Sequence, residues 1–238
     1  MSHDVVLCFN QRKVSDGFLN SIDLSYPSLH GRSPGFVQLE FLHHGVDTLP
    51  EPDVLDGYLF GVLQFAMGGA KRLLIKGPLS DKSIRNAHLL SEAWHCWLPE
   101  QYKPIEIVPE RTLSDEGLLA IHHQRSIHGD AIAAFSGGAD STFTALRHAG
   151  NLLGNASFKL KDLVMVHGFD VALDNQQDFD ELLQRTYPLV QQLGINLHIV
   201  RTNIKDKVTH NWEHVFAAQL ACVLHQFSHV EFKNEVQH

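Results

Sequence analysis

The residues best suited to chemistry fall in one short run, Ser136-Gly137-Gly138-Ala139-Asp140-Ser141. It follows the apolar stretch Ile132-Ala133-Ala134-Phe135 and leads into Thr142-Phe143-Thr144-Ala145-Leu146. The two glycines lack a Cβ, so the backbone there can bend tightly and come close to a ligand. A helix that starts after them presents unpaired N–H groups, and its dipole favours negative charge at that end. The hydroxyls of Ser136 and Ser141 add further donors. Together these groups make a cradle for an anion that carries several phosphates. Asp140 is an odd neighbour for phosphate unless it binds Mg²⁺ or caps the helix. Mg²⁺ takes carboxylate and phosphate oxygens together, so both roles stay open.

Two familiar phosphate loops do not fit. A Walker loop needs a Lys before its final Ser or Thr, and no such Lys stands here; the dinucleotide pattern Gly-x-Gly-x-x-Gly is also missing. The elements around the run suit an anion site nonetheless. From residue 130 onward, strand-like and helix-like stretches alternate: 131–135 strand, 140–149 helix stopped by Gly150, 163–166 strand, 178–193 helix stopped by Gly194, 197–200 strand, 212–227 helix, with 229–232 opening a fourth strand. That order predicts a parallel sheet with right-handed crossovers. Such sheets bind ligands beyond the carboxyl ends of their strands, which is where the Ser-Gly-Gly loop falls. Two other strand ends reach the same edge. One is Val166-His167-Gly168-Phe169-Asp170, followed by Asp174. The other is Arg201-Thr202-Asn203. Arg201 is suited to a bidentate phosphate contact or to a surface salt bridge.

The first half reads as a smaller α/β module over 1–110, with a connector over 111–129 that holds helix-forming residues 116–126. Strands are expected at 5–9, 36–41, 72–76 and 102–108, the third stopped by Gly77-Pro78. Between the first two lies a turn-rich stretch, 25–35. Helices are expected from 54 to 67, closed by Gly68-Gly69, and from a Ser80 or Asp81 cap to about Trp97. The segment Met67-Gly68-Gly69-Ala70-Lys71 reads as a helix end, not a phosphate loop.

Bulk composition narrows the function classes. The chain has 238 residues, 44% of them hydrophobic, which is enough for a real core. Its net charge of −8 argues against broad contact with nucleic acid, whose affinity rests on Lys and Arg. Cys8, Cys96 and Cys222 are few, odd in number and widely spaced, so they read as buried free thiols of a reducing, cytoplasmic setting. No apolar run reaches the length of a membrane span, and no signal-type start is present. Among the 17 histidines, His210 and His214 are spaced to share a helix face, but no further ligands stand at a recognised metal spacing.

The Ser136, Gly137, Gly138, Asp140 and Ser141 pattern resembles the PP-loop ATP pyrophosphatase family, the adenine nucleotide alpha-hydrolase-like group, and is distantly similar to deazaguanine synthase and asparagine synthetase-type domains. The resemblance covers about 129–200. It implies an α/β fold with a doubly wound parallel sheet, the first half being a smaller N-terminal α/β module of open role. It implies ATP and Mg²⁺ as cofactors and cleavage between the α and β phosphates, so that AMP passes to an acceptor oxygen and pyrophosphate leaves. The acceptor would be a small molecule or peptide, as in a ligase or amidotransferase.

On that reading Ser136 and Asp140 are the catalytic residues. Ser136, Gly137, Gly138, Ala139, Asp140 and Ser141 hold phosphate, Asp140 also takes the metal, and Gly168, Phe169, Asp170 and Arg201 line the nucleotide. The cysteine-rich zinc site of the nitrile-forming deazaguanine branch and the catalytic cysteines of tRNA-thiolating branches have no counterpart here. PP-loop proteins usually carry further substrate-binding segments, so the chain is expected to be truncated at its C-terminus. The alternative is a non-catalytic adenine-nucleotide sensor or regulatory protein. Assembly as a homo-oligomer is left open by the sequence.

Overall fold

A computed structural model describes residues 3–124 and 130–228. Alternating apolar residues make the strands of the first half. In β1 (Asp4–Val14), Val5 and Leu7 are fully buried and point the same way. β2 (Gly17–Tyr26) and β3 (Gly35–His44) continue from it as an antiparallel meander. The tight β1–β2 turn depends on Gly17, whose φ is +133° and where a Cβ would strike the His43 carbonyl. Then come α1 (Asp56–Ala66), β4 (Arg72–Ser80), α2 (Asp81–Trp97) and β5 (Glu106–Leu113), with β4 and β5 parallel to β1. Ser80 caps α2: its Oγ accepts the Ser83 N–H at 3.0 Å, while the buried Asp56 carboxylate accepts the Ser80 hydroxyl at 2.6 Å.

After α3 (Asp115–Gln124) come β6 (Ala131–Ala134), α4 (Ala139–Ala149), β7 (Leu160–His167), α5 (Gln176–Leu193), β8 (Asn196–Thr202), α6 (Ile204–Val208) and α7 (Trp212–His225). β6, β7 and β8 are mutually parallel. The whole is one eight-stranded mixed sheet in the order β5-β4-β1-β2-β3-β8-β7-β6. Its halves meet where Phe41, Leu42 and His43 of β3 pair antiparallel with Thr202, Arg201 and Val200 of β8.

Helices flank the sheet, and β7 shows how. Leu163 and Met165 pack with Ala145 of α4 and with Phe179 and Val190 of α5. The intervening Val164 joins a second core with Val200, Phe41 and the apolar residues of α1 and α7. Period-two alternation thus feeds two helix layers on opposite faces.

Several expectations are corrected. The sheet is mixed, not wholly parallel. β2 was not anticipated, nor was α6. β4 runs through Gly77-Pro78 rather than stopping there; its pairing with β5 shifts register between Ile75 and Pro78, an irregularity that accommodates a proline. β5 starts at Glu106, leaving Tyr102 as a buried core side chain ahead of it. Of the three free thiols only Cys222 is buried; Cys96 is exposed and Cys8 half-covered. His210 lies before α7 and stacks on His30 at 4.6 Å, so it shares no helix face with His214. No cluster of three or more metal-ligating side chains occurs among the described residues. The strand expected at 229–232 lies outside the described residues. No helix among the described residues is long and apolar enough to cross a membrane.

α1 and α7 approach closely because α1 carries glycine where they cross. A Cβ at Gly61 would sit 2.8 Å from Cys222 Sγ, and one at Gly57 would sit 2.6 Å from His225 Cβ. Gly61→Leu is therefore expected to destabilise the protein by about 1–3 kcal/mol through overpacking. Urea unfolding of the two proteins measures the difference.

Candidate functional site

The Ser-Gly-Gly loop lies at the carboxyl end of β6. The Phe135 N–H extends the ladder by donating to the Val164 carbonyl at 2.8 Å, and the chain then leaves the sheet. Gly137 takes φ +73°, and a Cβ there would come within 2.6 Å of Thr186 Cγ2 and 3.0 Å of Leu182 Cδ1, both on α5. Both the turn and the close approach require glycine. The two serines close the loop on itself. Ser141 Oγ accepts the Ser136 N–H at 3.3 Å and donates to the Gly138 carbonyl at 3.1 Å. Ser136 Oγ lies 3.3 Å from Ser141 Oγ.

Gly138 is the N-cap of α4 and supplies no side-chain cap. Asp140 sits in the first turn and is not the cap, which corrects the capping role left open for it. Among the described residues its carboxylate has no hydrogen bond or ion pair. The first helical bond runs from the Thr142 N–H to the Gly138 carbonyl, so the N–H groups of Ala139, Asp140 and Ser141 lie ahead of the ladder. Ser136, Gly138, Ala139 and Asp140 are exposed. The loop is an open set of donors at a helix N-terminus.

A cavity of about 450 Å³ opens from this loop. Ser136, Asp140 and Ser141 line one end. Val164 and Val166 of β7 lie beneath, and Phe169, Trp212 and Phe216 form an aromatic wall. Phe169 and Trp212 pack edge to face with centroids 5.0 Å apart, and Trp212 and Phe216 follow as a tilted pair at 6.3 Å. Lys205 Nζ donates to the Phe169 carbonyl at 2.6 Å and sits 4.5 Å from the Trp212 ring centroid. Asp170 also lines the cavity.

Sequence-expected residues divide on this geometry. Ser136, Asp140, Ser141, Phe169 and Asp170 share the cavity, and Gly137, Gly138 and Ala139 shape the loop beside it. Gly168 does not line the cavity. Its φ is +111°, and the space of its missing Cβ is filled by the Thr202 carbonyl, so the glycine serves the sheet edge instead of a ligand. Arg201 is turned away as well. Its guanidinium donates to the Leu173 carbonyl at 3.0 Å and to Gln176 Oε1 at 3.4 Å, and it lines a separate cavity. Trp212 and Phe216 were missed. The available signal was their spacing with Leu220, which puts all three on one face of α7.

The loop from Gly168 to Asn175 is held by His167. Its Nε2 lies 2.9 Å from the Ala172 carbonyl, so Nε2 carries the proton and donates. The ring stacks on Phe179 with centroids 4.3 Å apart. Burial holds the imidazole below its ordinary pKa of 6.5, and the Arg201 and His44 charges lower it further. The Ala172 contact and Asp180 act in the opposite direction. No protein-family model, curated protein or solved structure matches the chain.

Two predictions follow from this geometry. Gly137→Ala forces a Cβ into α5 at a left-handed φ and is expected to cost about 1–3 kcal/mol of stability, read by urea unfolding. For His167, the unfolded state takes up a proton at higher pH than the folded state does. Its contribution to stability is therefore intact above pH 6.5 and falls as the pH drops below 6.5. Comparing the wild type with His167→Gln from pH 7.5 to 5.5 isolates this part from the other histidines. The variant, which keeps an N–H donor, is expected to lose less stability on acidification.

Proposed function

We propose that this protein binds ATP, with the phosphate chain on the Ser136–Ser141 loop and the adenine toward the wall of Phe169, Trp212 and Phe216. One observation carries the reading: a single cavity joins an open helix N-terminus and its two serines to a patch of aromatic rings. That pairing suits a ligand that is anionic at one end and flat and apolar at the other. With helix layers on both faces of β6–β8, the second half is read as the doubly wound fold of the PP-loop group. A cytoplasmic setting suits three free thiols.

The donor set fits Mg²⁺, which is usually held by one or two carboxylates together with substrate phosphates. Asp140, with Asp170 along the same cavity, would hold it, and it would supply charge neutralisation for the phosphates. The rest falls to the chain's own groups. The N–H groups ahead of the α4 ladder and the Ser136 hydroxyl bind the β and γ phosphates and so favour their departure as pyrophosphate, while Ser141, whose hydroxyl donates to the Gly138 carbonyl, holds the loop in shape beside them. The loop and cavity orient the α phosphorus. An acceptor oxygen attacks that phosphorus, the α–β P–O bond breaks, and pyrophosphate leaves with the bonding electrons. A non-catalytic nucleotide sensor is the second reading. It is favoured by a cavity lining in which no His, Cys or Lys is present among the described residues.

The test is a product assay with ATP and Mg²⁺ over a panel of carboxylate and amide acceptors. Pyrophosphate and the adenylated acceptor are the expected products, with free AMP appearing only when a further nucleophile such as ammonia or water displaces it, while phosphate and ADP would overturn the enzymatic reading. Tight ATP binding without turnover would favour the sensor. Ser136→Ala removes one donor to a charged ligand and is expected to weaken ATP binding about tenfold or more. The change is followed by quenching of Trp212 fluorescence or by calorimetry.

A further inference from the structure

The second cavity, of about 450 Å³, is not used by the reaction above. Its floor is one face of β2, β3 and β8. Leu19 pairs with Leu42, and Leu42 pairs with Arg201, so these three side chains project from the same side of the sheet. Glu40 lies two residues from Leu42 and shares that face. The β1–β2 turn at 14–16 and Leu173 wall the space. Leu173 belongs to the same β7–α5 loop as Asp170 and Val171, which line the ATP cavity. One loop therefore separates the two spaces.

The charges here are arranged unusually. Arg201 and Glu40 are diagonal neighbours across an antiparallel pair, a placement from which long side chains of opposite charge reach each other. They do not pair. Arg201 turns to the Leu173 carbonyl and Gln176, and no carboxylate lies within ion-pair distance of it among the described residues. The half-buried Glu40 carboxylate has neither an ion pair nor a hydrogen bond among those residues. Asp16, at the rim, is taken by His44 Nδ1 at 2.7 Å. The cavity thus holds one unpaired guanidinium and one unpaired carboxylate, with Leu19, Leu42 and Leu173 between and around them.

We propose that this cavity binds a free amino acid with an apolar side chain, its carboxylate on Arg201 and its ammonium on Glu40. Each charged group meets the partner that the fold leaves it without, and the hydrocarbon side chain covers the leucines. The volume is within the range of small-molecule sites. The site stands apart from the ATP cavity, so the proposal does not depend on the ATP reading.

The test titrates the twenty free L-amino acids against the whole protein by calorimetry, with and without ATP and Mg²⁺. The tightest binder is then repeated as its carboxamide, which lacks the anion, and as its N-acetyl derivative, which lacks the cation. An apolar amino acid is expected to bind, with each derivative about tenfold or more weaker. Glu40→Gln should erase the penalty for N-acetylation and leave the penalty for amidation. Arg201→Gln should do the reverse. Absence of amino-acid binding in a protein that binds ATP overturns the inference and leaves the ATP reading standing. Amino-acid binding with those charge preferences in a protein that ignores ATP keeps this site and overturns the ATP reading alone. Equal binding of all three forms overturns the proposed contacts. The wild-type titrations with the two derivatives decide the question even if a variant fails to fold.

Discussion

Three residues of antiparallel pairing hold the two halves of this protein in one sheet. Phe41, Leu42 and His43 of β3 meet Thr202, Arg201 and Val200 of β8. Without that contact β3 and β8 would both be edge strands with open hydrogen-bonding groups. The ladder is short, and side chains lengthen it. Asn203, just past β8, accepts the Glu40 N–H at 2.9 Å and donates to the Gln38 carbonyl at 3.2 Å. Its amide stands in for a further backbone pair as the chain turns into α6. Phe41 carries the contact into the core, where it lies fully buried and packs edge to face on Tyr58 of α1 at 5.5 Å.

A second seam depends on the first. α7 belongs by sequence to the second half, yet it packs against α1 of the first, where glycine leaves room for Cys222 and His225. Burial holds the Cys222 thiol well above its ordinary pKa, so it behaves as a small apolar group in this seam. The seam also fixes the aromatic wall, since Trp212 and Phe216 stand on the helix that the seam orients. Gln226 closes it from the other end. Its side chain lies 2.8 Å from His43 Nε2 and accepts from Asn20 at 3.1 Å, joining β2, β3 and the chain just past α7 in one buried polar contact. Such a network favours a single arrangement of its elements, because a shift would strand buried polar atoms.

These seams explain what was legible in the sequence and what was not. The Ser-Gly-Gly loop could be read because its requirements are local: a positive φ at Gly137, a close approach to α5, and a helix that starts directly after. The Ser80 cap was legible for the same reason. β2 was not, because Asn20 and Ser21 interrupt its apolar pattern. Both are buried, which polar residues in a strand do not announce; Asn20 is paired from residues 23 and 206 positions away along the chain. The β3–β8 contact leaves no mark in either strand alone. Gly168 read as lining the nucleotide because glycine signals close approach, but the sequence cannot say what approaches, and here it is the Thr202 carbonyl. Arg201 sits on the expected strand end but on the sheet face it shares with Leu42 of β3, opposite Val164 and Val166 of the other cavity; the β2 and β3 residues that build its pocket lie outside the local sequence.

Charge decides how the cavity beside the Ser136–Ser141 loop would work as the proposed ATP site. Asp140 and Asp170 line it, and the nearby ammonium of Lys205 is already committed to the Phe169 carbonyl and the Trp212 face. A bare polyphosphate would meet two carboxylates against backbone dipoles and neutral hydroxyls. Fixed dipoles at a helix end contribute about 0.3–1 kcal/mol at an exposed site, too little to offset two nearby like charges. A divalent cation reverses the sign of that interaction, because the carboxylates then attract what they would otherwise repel. On the proposed function, the same carboxylates would disfavour free phosphate and favour a metal-complexed one. If the protein binds ATP as proposed, nucleotide affinity is expected to rise steeply with Mg²⁺, and Asp140→Asn is expected to reduce that dependence while raising metal-free affinity. A structural N-terminal acid with no part in ligand binding would show neither change in a calorimetric titration run with and without the cation.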